Sequence, residues 1–232
     1  MLWLYTRKMG KVQAIAKGVR KIRSRKAGHL EPFTHANLLM ARGRSFLIIT
    51  QAETLDAFLH LRDDLLRVGY AAYIIELLDR FTYDEDENQQ LYRLLKETLS
   101  RIDTENDPNL PVRYYEIQLL DLLGYRPELT NCVNCETVIK AEDQYFSISI
   151  GGVLCPICGP KFPDASQISM NTLKYLRHFQ RSSFSEAARA QLSPELNHDL
   201  EQLIQRYFMY FLERNLNTPA FIRRVKNQPQ QD

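Results

Sequence analysis

Over the first fifty residues, apolar positions come in short bursts or alternate with polar ones. Leu2–Thr6 is a brief apolar run. Lys11–Lys17 (KVQAIAK) alternates mostly with period two, which suits a half-buried strand and suits a helix poorly. Phe33–Ala41 and Phe46–Gln51 are apolar stretches separated by Arg42-Gly43-Arg44-Ser45, a hairpin signal with glycine in the turn. The basic stretch Gly18–Pro32 holds two glycines and a proline, and predicts a loop between the second and third strands.

From residue 54 the period becomes helical. Ile74, Leu77, Leu78 and Phe81 fall at i, i+3, i+4 and i+7, and Leu91, Leu94, Leu95, Thr98 and Ile102 do so again. Gly69 and Gly124 each follow an apolar stretch, where a C-cap glycine would sit. Asp103–Pro111 reads as a polar linker, and Val112–Leu123 as a further helix. Gln144–Ile150 carries Phe146, Ile148 and Ile150 at alternate positions before Gly151-Gly152, which predicts a hairpin returning through Val153-Leu154. Helix resumes after residue 163, with Ser193-Pro194 as N-cap and first helical position. The stripe Leu200, Leu203, Ile204, Tyr207, Phe208 and Phe211 then follows.

The predicted class is therefore α+β. Residues 1–53 form a small β-barrel of the OB type, with four strands counted where such a barrel has five. Residues 54–126 and 164–216 are two parts of a helical domain, 127–163 are an inserted module, and 217–232 are a polar, frayed tail.

Composition supports a packed core. Of 232 residues, 44% are apolar and 25% charged, which excludes global disorder. No run of 18 apolar residues is present to span a membrane. The apolar N-terminus is cut short by Arg7-Lys8, so no secretory signal is read, and the expected location is the cytoplasm. The net charge of +2 hides an asymmetry: residues 1–50 carry eleven Lys/Arg against Glu31 alone, a charge of +10, leaving −8 for the rest. Such a split points to a polyanion-binding face for nucleic acid or an anionic membrane. A merely solvated face and a basic transit peptide compete with that reading, although strand-like alternation and a single serine, Ser24, disfavour the second. Trp3, Tyr5 and Phe33 lie in or beside the basic region, where they could stack on single-stranded bases or build the barrel core.

The four cysteines are grouped. Cys132-Val-Asn-Cys135 and Cys155-Pro-Ile-Cys158 are separated by 19 residues, the spacing of a four-thiolate zinc site. Four thiolates at about 2.3 Å satisfy tetrahedral Zn²⁺ and leave no open position for catalysis, so the metal is expected to be structural. A redox dithiol and an iron–sulfur cluster are the competing uses of the same residues. Gly159 is expected to ease the second knuckle through a positive φ. No phosphate loop, dinucleotide fingerprint or His-Glu-x-x-His is present, and the five histidines are scattered. Asp84-Glu85-Asp86-Glu87 reads as a solvated acidic loop. No catalytic constellation is found, and the expectation is a non-enzyme.

Several strings together carry a resemblance. They are Gly10-Lys11-Val12-Gln13-Ala14-Ile15-Ala16-Lys17-Gly18-Val19-Arg20, Arg23-Ser24-Arg25, Gly28-His29-Leu30-Glu31-Pro32-Phe33-Thr34 and Ala41-Arg42-Gly43-Arg44. Ile49-Thr50-Gln51-Ala52-Glu53, Leu123-Gly124-Tyr125-Arg126-Pro127, and Phe146 with Gly151-Gly152 and Cys155 extend it over essentially the whole chain. In these the sequence resembles the RecO family of bacterial DNA repair proteins. The resemblance implies an OB fold, a helical domain and a zinc module held here by Cys132, Cys135, Cys155 and Cys158. It implies a recombination mediator that binds single- and double-stranded DNA, anneals complementary strands and associates with RecR. Such a mediator contacts the C-terminal tail of single-strand-binding protein (SSB) and helps load RecA, with a functional link to RecF, at the nucleoid and away from membranes. The matching cations are Lys11, Lys17, Arg20, Arg23, Arg25, Arg42 and Arg44, with Lys21 and Lys26 added. Family chains carry a strand and a polar turn ahead of the segment that begins here at Leu2, so a misassigned start or a truncation, and with either an open barrel, is expected. A zinc-ribbon transcription or RNA-binding factor is the alternative, disfavoured by a module with only Lys140 and Lys161 among several acids. A thiol oxidoreductase is a third reading.

Overall fold

A computed structural model describes residues 1–21 and 23–227. In chain order the elements are β1 (Leu2–Thr6), β2 (Gly10–Ile15), β3 (His35–Arg42), β4 (Leu47–Asp56), α1 (Leu59–Asp63), α2 (Leu65–Phe81), α3 (Gln89–Thr104) and α4 (Asn109–Leu122). There follow β5 (Gln144–Ser147), β6 (Gly152–Leu154), β7 (Ser166–Ile168), α5 (Met170–Arg181), α6 (Phe184–Ala187), α7 (Pro194–Leu212) and α8 (Thr218–Lys226). The chain divides into two compact units, one of residues 1–106 with the stretch from Thr218 onward, the other of residues 107–217.

The first unit is built on an OB-like sheet of order β1-β2-β4-β3. β1 and β2 pair antiparallel, β2 and β4 parallel, and β3 and β4 antiparallel. Alternation along β2 buries Val12 and Ala14, and a small core forms from Ala14, Ala16 and Ile49. Leu2, Leu4, Leu38 and Met40 pack against it from the outer strands. Among the described residues β1 and β3 have no strand on their far sides, and a trench of about 790 Å³ runs between them, lined in part by those four residues. The four-strand count and the open barrel thus match the reading of the sequence. β4 runs past Gln51 to Asp56, because Ala52 and Thr54 stay in register with Leu38 and Ala36 across irregularities in β3.

Helices α2 and α3 start where short polar side chains accept backbone amides. Asp64 caps α2 through Leu66 N and Arg67 N, and Asn88 caps α3 through Gln90 N and Leu91 N. Their apolar stripes bury Ile74, Leu77 and Leu78, and Leu91, Leu94 and Leu95. Two expectations are corrected here. Gly69 lies inside α2 rather than at its end, and a Cβ there would come within 3.1 Å of Ile222 and 3.2 Å of Phe221. The glycine serves close helix packing, which a capping pattern cannot be told from by sequence. The polar tail likewise contains helix α8, which packs on α2 with Ile222 only 1% exposed. Thr218 fixes its start by donating N–H and O–H to Glu76 Oε2 at 2.9 and 2.7 Å. Residues 228–232 of the tail lie outside the described residues.

In the second unit α4 is almost wholly buried, with Val112, Tyr115, Ile117 and Leu119 at 1% exposure or less. Gly124, at φ +80°, follows its C-cap as expected. α7 begins at Ser193-Pro194, Ser193 Oγ accepting Leu196 N, and buries Leu200, Leu203, Ile204, Tyr207 and Phe208. The expected hairpin is β5–β6, its turn spanning Ile148–Gly151, and β7 adds a third strand to give the order β6-β5-β7. At three residues, β7 is too short for a period to register.

Candidate metal centre and nucleic-acid interface

Both cysteine pairs sit on turns beside the β5–β6 hairpin. Backbone bonds from Glu136 N to Cys132 O and from Gly159 N to Cys155 O close the two knuckles. Val133 N donates to Val153 O, tying the first knuckle to β6. Gly159 has no positive φ; instead a Cβ at this position would collide with the Tyr145 ring. The left-handed residue is Glu136 of the first knuckle, at φ 60°. The role expected of Gly159 is thus one of close packing, a contact the local spacing does not encode.

These turns bring the four sulfurs within 4.8 Å of one another. Cys135 Sγ and Cys155 Sγ are 3.8 Å apart, the edge length of a tetrahedron of thiolates about 2.3 Å from a central zinc. Donors surround the cluster. Cys155 N points to Cys132 Sγ at 3.3 Å and Asn134 Nδ2 to Cys158 Sγ at 3.2 Å. The Thr137 hydroxyl and amide bring the Cys135 thiol down to about 6. At Cys158 the Asn134 amide favours the thiolate, yet burial and the three neighbouring sulfurs push the thiol up to about 11. Four sulfurs this close cannot all ionise without a cation among them, and a divalent metal removes that conflict. The residues present therefore fit a four-thiolate metal site. Asn134 and Thr137 support it without being ligands, a role suggested only by their place inside and just after the first knuckle.

Unit one holds the sequence-selected cations. In the β2–β3 connection, Val19 and Leu30 turn inward onto the sheet core and leave Lys17, Arg20, Lys21, Arg23 and Arg25 exposed. Arg42 ends β3 and Arg44 sits in the β3–β4 turn, both exposed. The register Ala14↔Leu47 brings the exit of β2 beside this hairpin. Among the described residues none of these seven forms an ion pair. Lys26 is half-buried, its Nζ donating to Ile49 O at 2.9 Å. Phe33 and Tyr5 are half-buried, whereas Trp3 is 54% exposed with Lys11 Nζ 5.7 Å from its ring centroid.

Lys11 differs from the other cations. Its side chain is 15% exposed, with Nζ 3.2 Å from Asp79 and 3.5 Å from Asp84. It also donates to Asp79 O and Thr82 O, both at 3.0 Å, at the C-terminal end of α2. The acidic stretch after α2 is not simply solvated, since Glu85 N donates to Lys11 O and seats it against β2. Lys11 thus joins sheet to helix. Lys11→Met is expected to lower stability by about 1–2 kcal/mol, the bonds to two helix-end carbonyls outweighing the pairs to exposed acids. Thermal melting reads that loss, and the DNA affinity of the folded variant should match that of the parent.

Comparison with known proteins agrees with these observations. The family model described as Recombination protein O N terminal matches residues 1–58, and that described as Recombination protein O C terminal matches residues 62–220. The chain is 38% identical to the DNA repair protein RecO of Roseiflexus sp. (strain RS-1), over 94% of this chain and 77% of that protein. It is 36% identical to that of Dehalococcoides mccartyi (strain CBDB1), over 92% of this chain and 84% of the relative. With Pelotomaculum thermopropionicum RecO the identity is 32%, over 99% of this chain and 89% of that protein. Among the described residues no helix is long and apolar enough to cross a membrane. Matched along nearly its whole length by both halves of the family and by these relatives, the chain belongs to the RecO family of DNA repair proteins.

Proposed function

We propose that this chain is a cytoplasmic, nucleoid-associated recombination mediator. In this reading it binds single- and double-stranded DNA, anneals complementary strands and, with RecR and in functional connection with RecF, helps load RecA onto SSB-coated DNA. The observation that carries DNA binding is the group of seven exposed cations, Lys17, Arg20, Lys21, Arg23, Arg25, Arg42 and Arg44, without carboxylate partners among the described residues. Such a surface attracts phosphate with little base readout and screens the repulsion between two strands. Lys11 and Lys26 take supporting positions within the sheet unit rather than direct contacts. Cys132, Cys135, Cys155 and Cys158 would hold Zn²⁺, whose contribution is to cross-link the two knuckles. Contact with the SSB tail belongs to the same proposal.

A fluorescence annealing assay tests it, using complementary oligonucleotides pre-coated with SSB. The chain should accelerate annealing, the acceleration should require the SSB C-terminal tail, and it should fade as salt rises. DNA binding without acceleration would reduce the protein to a plain nucleic-acid-binding zinc protein and overturn the mediator reading.

A further inference from the structure

We infer that α5 and the recess beside it form a second binding site for a nucleic-acid phosphate backbone, separate from the basic loop of the sheet unit. The inference rests on the DNA-binding reading above and extends it. Lys174, Arg177, His178 and Arg181 stand at i, i+3, i+4 and i+7, one side of α5 over about 10 Å of helix. The opposite side buries Leu173, Leu176 and Phe179, which fixes the cationic side outward. α5 contains no Asp or Glu. Arg189 joins the row across a recess of about 570 Å³ that is also lined by Lys174, Tyr175 and His178.

The side-chain hydrogen bonds of Arg177 and Arg181 go to uncharged groups. Arg177 Nε donates to the carbonyl of Leu129 at 2.7 Å and Arg181 to the hydroxyl of Thr130 at 3.0 Å, both neutral acceptors. Two acids stand near the row, Glu128 by Arg177 and Glu186 on the recess wall by His178 and Arg189, and both also accept local hydrogen bonds. Glu128 accepts the amides of Thr130 and Asn131, and Glu186 accepts the amide and hydroxyl of Ser183. Burial and the charge of Arg181 make the Arg177 guanidinium easier to deprotonate than usual, with the Glu128 carboxylate acting against them. Tyr175 is held by its hydroxyl on Gln191 O at 2.7 Å and offers a ring at the recess edge.

The chemistry favours a polyphosphate strand over a peptide. Side chains one turn apart space the charges by about 6 Å, comparable with neighbouring phosphates on a strand. Apart from Ala190 and the Tyr175 ring the lining residues are polar or charged, so little seats the apolar anchor on which a docked peptide depends. The site also lies in the part of the chain outside the basic first fifty residues, which carries −8 overall, so the local positive charge stands against its surroundings.

The test uses the full chain, zinc-loaded, and a single-stranded oligonucleotide too short to occupy two sites. The parent should bind about two strands per chain at low salt. Lys174→Glu/Arg181→Glu/Arg189→Glu, all at exposed positions, should bind about one. Arg20→Glu/Arg23→Glu/Arg25→Glu should also bind about one, and each triple variant should anneal on the order of tenfold more slowly. Matching melting temperatures and zinc contents show that the variants are folded; if the first triple variant fails to fold, Arg181→Gln with Arg189→Gln replaces it with the same expectation. A parent that binds one strand, lost only in the loop variant, overturns this inference and leaves the proposed function standing. A parent that binds no strand overturns both. Loss of polyglutamate binding by the α5 variant with two strands still bound would assign the face to a protein partner and overturn the inference.

Discussion

Replacing Cys132 or Cys158 by serine is expected to yield a chain without stoichiometric zinc that melts roughly 6–20 °C lower, at about 2–4 °C per kcal/mol for a protein of this size. The reasoning starts from how little else holds the module. Its apolar interior is Leu129, Ile139, Phe146, Val153 and Leu154, and Phe146 meets α7 in an edge contact with Tyr207 at 5.6 Å. Cross-linking the knuckles supplies what that interior lacks. Structural zinc binding is worth about 10–16 kcal/mol in isolated finger peptides, which are unfolded without it. Here the hairpin also leans on α7, so a net loss of about 3–5 kcal/mol is expected. Cys132 and Cys158 are 1% and 3% exposed, so a hydroxyl there is both a poor ligand and a buried polar group. Metal analysis should find one zinc per chain in the parent, and a strong chelator should reproduce the variant's melting. A variant that keeps its melting temperature after losing the metal would show that zinc is dispensable to the fold.

The second large effect concerns DNA. Arg20→Glu/Arg23→Glu/Arg25→Glu should weaken binding of a long single strand on the order of 100-fold near 0.1 M salt. Each lost phosphate contact also removes about 0.7 from the slope of log affinity against log salt, so the slope should flatten by about 2. Because these side chains are exposed and outside any ion pair among the described residues, the substitutions leave the sheet core of Ala14, Ala16 and Ile49 intact. Lys11→Met serves as the contrasting variant, with lower stability and an unchanged salt slope. An unchanged slope in the arginine variant would remove the loop from the DNA site.

Much of this architecture was legible in the chain, for reasons that can be named. A short apolar run marked β1, period-two alternation marked β2, and the Arg42–Ser45 turn marked β3–β4, because one face of each strand must meet a core. The cysteine spacing was legible because a tetrahedral metal restricts how two knuckles approach. What escaped depends on distant partners. Lys11 looked like any other cation of the basic stretch, yet its acids lie beyond residue 78. Gly69 owes its presence to α8, more than 150 residues further along the chain. The apolar positions of α8, Phe221, Ile222 and Val225, are too few among polar neighbours to signal a helix until Gly69 gives them a surface. The α5 cations did carry a periodic signal, which the acidic total of the surrounding sequence concealed.

The return of α8 onto α2 also sets an order of events during synthesis. The unit bearing the basic loop contains both residues 1–106 and the stretch from Thr218 onward, whereas residues 107–217 form a unit continuous in sequence. Domains fold as the chain emerges, at about 5–20 residues per second in bacteria-like translation, and N-terminal units normally finish first. Here the order is inverted. The four-cysteine unit can close while the ribosome is still translating, but the first unit waits for α8, which is made only after the whole of residues 107–217. A nascent or prematurely terminated chain therefore presents its arginine-rich loop on an unfinished scaffold, with the Gly69 surface of α2 bare. Completion of the sheet unit is in this way coupled to synthesis of a helix that lies beyond the whole of the second unit.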